Sequence, residues 1–264
     1  MGKKSGGKTH LVIPDCHVEP GISNTRFNWL GKLIMALRPD TIICLGDFAD
    51  MSSLSSYDRG RKSYEGRRYK KDCDAVAEAM ALLHGPIVAH NKRCAKNKKA
   101  QYIPRKVMTL GNHEQRIVRV TEMHPELDGT ISIDDLKYEE WGWEVYDYMQ
   151  PVEIDGVYYS HSFPSGVKGD PISGFNIASQ LLMKQMVSTT VGHIHLLDTA
   201  VRSYPTGQKV RGLSAGCFVS HVPAYATAQA YLWWSGVVVK HNVKNGNYSL
   251  EEWSLDRIKE AYGK

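Results

Sequence analysis

Five short stretches of the chain are rich in side chains that bind metals or move protons. They are Asp15-Cys16-His17, Gly46-Asp47-Phe48-Ala49-Asp50, Gly111-Asn112-His113-Glu114, Ser160-His161 and Gly192-His193-Ile194-His195. Taken singly none is specific, because Asp-x-His arises readily by chance and a lone histidine is as well explained as a core or surface residue. Together they hold five of the eleven histidines, with carboxylate and amide groups beside them. Imidazole nitrogen mixed with carboxylate and amide oxygen suits Mn²⁺, Fe or Zn²⁺, whereas an all-oxygen set would favour Mg²⁺ or Ca²⁺. The donors are numerous enough for two ions.

Such groups act together only if the fold brings them to one place. Residues 9–14 read as a buried strand broken by Pro14. Phe27, Leu30, Ile34 and Leu37 recur at spacings of three and four, which predicts a helix stopped by Pro39. Residues 41–45 form a continuous apolar run, as in a parallel strand covered on both faces. This order is a βαβ unit, right-handed in nearly all proteins. A helix is expected over 72–83, with Ala75, Ala79, Leu82 and Leu83 inward, then a strand over 106–110 and a helix over 114–123. The acidic, aromatic segment 131–148 is left unassigned. Residues 152–159 alternate around Asp155-Gly156, a hairpin signal. A helix over 177–187, with Ala178, Leu181, Leu182 and Met186 as its stripe, precedes a strand at 189–191. The last quarter reads as antiparallel strands at 197–204, 210–219, 231–243 and 248–255, closed by a helix over 256–262. The pattern is α/β passing to β, with each motif at the end of an apolar run. The edge of a sheet where strands end is the usual place for a site in such folds.

A chain of 264 residues, 42% hydrophobic, can bury one large core, and a single domain with a basic insertion at about 51–106 is expected. No apolar run approaches the roughly 18 residues of a membrane span. The start, basic and glycine-rich, lacks a signal-peptide core, and Gly6 stands where a myristoylation pattern needs Ser or Thr. Five cysteines without a Cys-x-x-Cys pair point to free thiols in a reducing cytoplasm. A separate zinc site from Cys73, His84, His90 and Cys94 would match no familiar spacing. Residues 59–71 hold seven Lys/Arg and one acid, and residues 92–106 seven and none. These two runs carry +13 against +5 for the chain, leaving −8 elsewhere. With Tyr57, Tyr64, Tyr69 and Tyr102 among them, they would suit a polyanion with exposed bases near the mouth of the site. A solvated loop is the plainer reading of a charge run.

In their order along the chain, the five stretches resemble the calcineurin-like metallophosphoesterase family, in the form of its small bacterial and bacteriophage members. The resemblance covers residues 11 to about 220. It implies two packed mixed β-sheets flanked by helices, a four-layer α/β sandwich with a dinuclear metal site at the strand ends. One ion would be held by Asp15, His17 and His195, the other by Asn112, His161 and His193, with Asp47 bridging them. Manganese would be the first candidate, with iron, zinc, nickel or magnesium as others. Two such ions can bind a bridging hydroxide at neutral pH and clamp a phosphoryl oxygen for in-line attack. His113 would protonate the leaving oxygen, with Asp50 orienting its ring. Arg116 could reach phosphate, though a solvated arginine at a helix start is the plainer reading. His221, after Gly216-Cys217-Phe218, is a further candidate near the site.

Three departures bear on the substrate. Ser162 follows His161 where the family usually has Gly, which leaves the local turn open. Met51 follows Asp50, and Leu110 precedes Gly111, where the protein Ser/Thr phosphatases of the superfamily carry phosphate-gripping arginines. A monoester dianion has more charge to neutralise than a diester. The expectation is therefore a phosphodiesterase acting on a nucleotide or single-stranded nucleic acid, with Arg67, Arg68, Lys70 and Lys71 gripping the polyanion. The alternatives are a phosphomonoesterase or protein phosphatase, and a catalytically silent metal-binding scaffold. No membrane or protein partner is inferred.

Overall fold

The computed structural model describes residues 6–57, 60, 62–222, 226 and 228–263. The chain enters on β1 (Lys8–Ile13), crosses through helix α1 (Thr25–Leu37) and returns as β2 (Thr41–Cys44), parallel to β1 with Ile13 opposite Cys44. Phe27, Leu30 and Ile34 of α1 are buried, and the helix ends on Arg38 in the left-handed region, just before Pro39. The next helix, α2 (Tyr69–Lys96), runs well past the expected stop at Leu83, through Gly85 and Pro86. Pro86 removes one backbone donor, a cost met by packing rather than by ending the helix. Gly31 of α1 lies against this turn, where an added Cβ would overlap the Leu83 carbonyl and touch the Pro86 ring at 3.0 Å.

β3 (Arg105–Thr109) is parallel to β2 and leads to α3 (Gln115–Met123). Segment 131–148 contains two 3₁₀ turns and β4 (Glu144–Tyr146), parallel to β3. The expected hairpin is β5 (Val152–Ile154) and β6 (Val157–Tyr159), with Asp155 and Gly156 both at positive φ, as a type I′ turn requires. A two-residue ladder, β7 (Pro164–Ser165) and β8 (Asp170–Pro171), precedes α4 (Ile177–Gln185) and β9 (Ser188–Val191). Then follow β10 (Leu197–Ser203), β11 (Lys209–Ala215), β12 (Gly236–Lys244), β13 (Asn247–Ser254) and α5 (Leu255–Tyr262).

These strands make two mixed sheets flanked by helices, ordered β13-β12-β1-β2-β3-β4 and β10-β11-β9-β6-β5. The last four strands are antiparallel in consecutive pairs, β10 with β11 and β12 with β13, as expected, but the pairs are divided between the two sheets and β11 joins the second sheet parallel to β9. Residues 228–232 form a 3₁₀ turn rather than the start of a strand. Strand periodicity sets the layers. Leu11, Ile13, Ile42, Cys44 and Met108 face α1 and α2, while Val12, Ile43, Leu45 and Val107 meet Val157, Tyr159, Leu213 and Ala215 of the second sheet. Ile177 and Leu181 of α4 cover that sheet's outer face against Val191.

Two buried histidines tie this core to pH. His10 bonds Tyr159 Oη at 2.8 Å and Asp155 at 2.9 Å, while His84 bonds the Met80 carbonyl at 2.9 Å and stacks on Trp141. Burial brings each imidazole from 6.5 down to about 4. Between those values the unfolded chain takes up protons that the folded chain refuses, so stability is present above pH 6.5 and lost as pH falls toward 4. Each contributes a loss of up to about 3 kcal/mol. The denaturation midpoint is expected to drop between pH 6.5 and 4.5, and less steeply in His84→Phe. An equally steep drop in the variant would contradict this account.

Candidate metal centre

The five motifs sit just beyond the ends of β1, β2, β3, β6 and β9. These strands run parallel to their partners within each sheet, so all five deliver their side chains to one end of the sandwich. The turns that aim them are tight. His17, Asp47, His193 and His195 all have φ between 44° and 67°, a region non-glycine residues seldom occupy and one that clusters at functional sites. Gly111 and Gly192 are there because a Cβ would overlap Oδ1 of Asp47 and of Asp15 respectively. Backbone N–H groups then grip both carboxylates, from His113 to Asp47 Oδ1 at 2.8 Å and from His193 to Asp15 Oδ2 at 2.8 Å.

Two donor groups form around Asp47. In the first, His195 Nε2 lies 3.0 Å from His17 Nε2 and 3.0 Å from Asp15 Oδ2. In the second, His161 Nε2 lies 3.0 Å from Asn112 Oδ1, 3.2 Å from His193 Nδ1 and 3.4 Å from Asp47 Oδ2. Asp47 Oδ2 also lies 4.0 Å from His17 Nε2, which puts this carboxylate between the groups. Ligands bound at about 2.1 Å are spaced about 3.0 Å apart at a right angle and about 3.4 Å apart at a tetrahedral angle.

Protonation points the same way. His161 Nδ1 sits 2.7 Å from the Leu45 carbonyl, which can only accept, so Nδ1 carries the proton. Nε2 then faces two oxygen acceptors, an arrangement that needs a positive charge there, a proton in the metal-free protein; burial opposes that proton, but Asp47 and Asp15 outweigh burial and raise the His161 pKa. Asp15, Asp47 and Asp50 are each at most 3% exposed. Burial works to raise the carboxyls of Asp15 and Asp47, but the imidazoles around them, led by His161, hold both below the usual range. Burial with His113 close by lowers His17, and burial with His161 brings His193 down to about 4. Neutral imidazoles and ionised carboxylates are the forms that bind divalent metals, so His17 and His193 stand ready while His161 would give up a proton to an incoming ion. The residues present fit two such ions.

A third cluster, His17, Asp50 and His113, is built differently. Asp50 Oδ1 accepts from Nδ1 of both rings at 3.1 Å, which leaves Nε2 of His17 for the first group. His113 Nδ1 also meets the Asp50 carbonyl at 2.8 Å, and its Nε2 stands 3.8 Å from Asp47 Oδ2. Burial opposes its charge, but Asp47 and Asp50 outweigh burial and raise its pKa to about 9.

Among the other residues singled out from sequence, Arg116 is not a solvated side chain. Its Nη1 donates to the Asp50 carbonyl at 2.8 Å, and Nη2 lies 3.3 Å from His113 Nε2. His221 pairs with Glu19 at 2.7 Å and lies outside the donor groups. Arg67, Arg68 and Lys71 line a separate cleft with Glu19 and Ser52, while Lys70 pairs with Asp74 on the surface. The second basic run is a different matter. It begins in the last turns of α2, about 35 Å along the helix axis from Tyr69, and enters β3 at the end opposite the donors. Three of the four tyrosines are anchors. Tyr64, Tyr69 and Tyr102 bond backbone carbonyls, and only Tyr57 among them is largely exposed. Cys73 and Cys94 are some 30 Å apart along α2 and form no zinc site together.

Sequence reasoning left Glu114 undecided. It is fully buried and accepts from the N–H groups of Asp47, Ala49 and Gly111 and from Tyr138 Oη, locking two motif loops together. Also unforeseen was the wall opposite the donors. A cleft of about 390 Å³ opens over His17, Asp47, Asn112, His113, His193 and His195. Its other side is Phe175, Ile194, Leu196, Leu232 and Trp233, with Gln229. The Trp233 ring meets His195 edge-on at 4.2 Å, and the Trp234 N–H donates to the His195 carbonyl. The alternation of that segment reads as strand, so no sequence signal pointed to it.

No curated protein matches the sequence. One solved structure aligns over 94% of this chain and 99% of its own length at 10% identity, with a TM-score of 0.41. The sequence profile of the calcineurin-like phosphoesterases matches residues 9–262. That match runs from the first strand into the last helix and takes in all five motifs, and the chain belongs to the calcineurin-like phosphoesterase family.

Proposed function

We propose that the protein hydrolyses a phosphodiester of a nucleotide or single-stranded nucleic acid at this centre, with manganese the first candidate for the metal. Family membership carries the coarser part, metal-dependent phosphoester hydrolysis. Asp15, His17 and His195 would hold one ion and Asn112, His161 and His193 the other, with Asp47 shared. When bound, two divalent ions polarise the phosphoryl oxygen and lower the pKa of the attacking water. The rest is the work of the chain itself. Asp50 fixes the rings of His17 and His113 through their Nδ1 atoms. His113 keeps its proton on the cleft side and passes it from Nε2 to the leaving oxygen.

The observation that carries the diester preference is the charge of the cleft. None of the described residues lining it is Lys or Arg. Met51 and Leu110, at the two positions noted above, are buried and apolar. A diester monoanion makes the smaller demand for positive charge. The neighbouring cleft of Arg67, Arg68 and Lys71 begins two residues past His17 and Asp50 and offers cations to a flanking phosphate. A second reading, a phosphomonoesterase, is favoured by Arg116 alone, whose Nη2 reaches the edge of the site beside His113. The five cysteines are free, which supports work in a reducing compartment such as the cytoplasm. No helix among the described residues is long and apolar enough to cross a membrane.

The test is kcat/KM for bis(4-nitrophenyl) phosphate against 4-nitrophenyl phosphate on the Mn²⁺-loaded protein. The diester is expected to be preferred at least tenfold. A monoester preference would sink the diester reading and favour the second one.

A further inference from the structure

The apolar wall of the cleft has no part in binding ions or moving protons, yet it is exposed. Phe175 is 71% and Leu232 56% accessible, large apolar side chains held at the rim of a polar site. Ile194, Leu196 and Trp233 continue the surface inward to the donors, and Gln229 is the neutral polar side chain among them. The wall borders the metal centre itself, because Ile194 lies between two of its donors and Trp233 touches His195. The whole cleft, donors and wall together, holds about 390 Å³, the size of a small-molecule site rather than a protein groove.

The composition selects the occupant. The absence of Lys and Arg from this lining disfavours a second anionic group there. An aliphatic chain would bury against Phe175 and Leu232 but would make no use of Gln229, whose exposed amide would stay with water. A flat heteroaromatic ring satisfies both, with π-faces against Phe175 and Trp233 and ring nitrogens or carbonyls within reach of an amide that both donates and accepts. We infer that this wall is a nucleobase subsite, holding the base of the nucleoside whose phosphate lies over the donors. The inference rests on the phosphodiesterase reading and narrows it to a substrate with a base next to the scissile ester.

Binding of products separates the two claims. Adenosine 5′-monophosphate and ribose 5-phosphate carry the same phosphate and differ by the base. Isothermal titration of the Mn²⁺-loaded protein is expected to give adenosine 5′-monophosphate an affinity at least about fivefold tighter, the scale of one base stacked on an aromatic ring. Phe175→Ala and Leu232→Ala, both at exposed positions that the core does not need, are expected to erase that preference and leave ribose 5-phosphate unchanged. Equal binding of the two compounds by the wild type, or a preference that survives both substitutions, would overturn the subsite. The same preparation is assayed on bis(4-nitrophenyl) phosphate. Turnover without base preference removes the subsite alone, whereas loss of both turnover and phosphate binding removes the parent reading with it.

Discussion

Replacing His113 by Ala is expected to lower turnover of an alkyl phosphodiester by about 10²–10⁴-fold while leaving the bound metal unchanged. The imidazole donates through Nδ1 to Asp50 and shows Nε2 to the cleft, 3.8 Å from Asp47 Oδ2, and it is not itself among the ligands proposed for either ion. Burial alone would strip its proton, but Asp47 and Asp50 hold the pKa at about 9, so the ring is charged across the neutral range. Cations sharing Asp47 would weaken that support and bring the pKa closer to the working pH, where a general acid is most useful. An alkoxide cannot leave without a proton, whereas nitrophenolate can. The variant should therefore lose far more on an alkyl diester than on a nitrophenyl one. Equal losses on the two leaving groups, measured by kcat with metal content checked, would contradict the acid role. Asp50→Asn should move turnover the same way by less, since it keeps a hydrogen-bond acceptor for both rings and removes only the charge.

Asp47→Asn is expected to be more damaging still, costing about a thousandfold or more in turnover of any ester. Asp47 Oδ2 lies between the two donor groups, 3.4 Å from His161 Nε2 and 4.0 Å from His17 Nε2, where the proposed bridging ligand would sit. An amide oxygen in its place still accepts from the His113 N–H, so the loop keeps its shape, but it no longer offsets the repulsion between two cations. The loss should therefore appear in kcat of a folded protein, with far-UV circular dichroism and the metal-free unfolding midpoint close to wild type. Near-wild-type turnover in this variant would remove Asp47 from the role of shared ligand.

The site was more legible in the sequence than the surfaces around it. Metal donors must be one of a few residue types, and strand ends must be apolar runs followed by turns, so Asp15, Asp47, Asn112 and the histidines were visible as a set. What closes the site was not. Glu114 works through backbone N–H groups, which any sequence possesses, and Arg116 through the carbonyls of residues 50 and 51. Neither partner leaves a trace in residue type. Trp233 and Leu232 sit in a run that alternates like a strand, and only the pairing of β12 with β1 and β13 decides where the strand begins. The fold shows the same division. The βαβ start and the Asp155-Gly156 hairpin follow from local signals, whereas α2 continues through Pro86 because α1 packs against that turn, a tertiary contact that overrides a local rule. Charge proved the least informative signal. Two basic runs twenty residues apart in sequence lie toward opposite ends of one long helix, and Arg67, Arg68 and Lys71 of the first line a cleft separate from the one over the donors.

The most direct measurement is a titration of metal-free protein with Mn²⁺, counting ions bound and diester turnover on the same samples. The geometry predicts two ions per chain, no turnover in EDTA, and activity that returns with the ions in the wild type and fails to return in Asp47→Asn. Full turnover by the metal-free protein, or a wild-type chain that takes up no divalent metal, would contradict it.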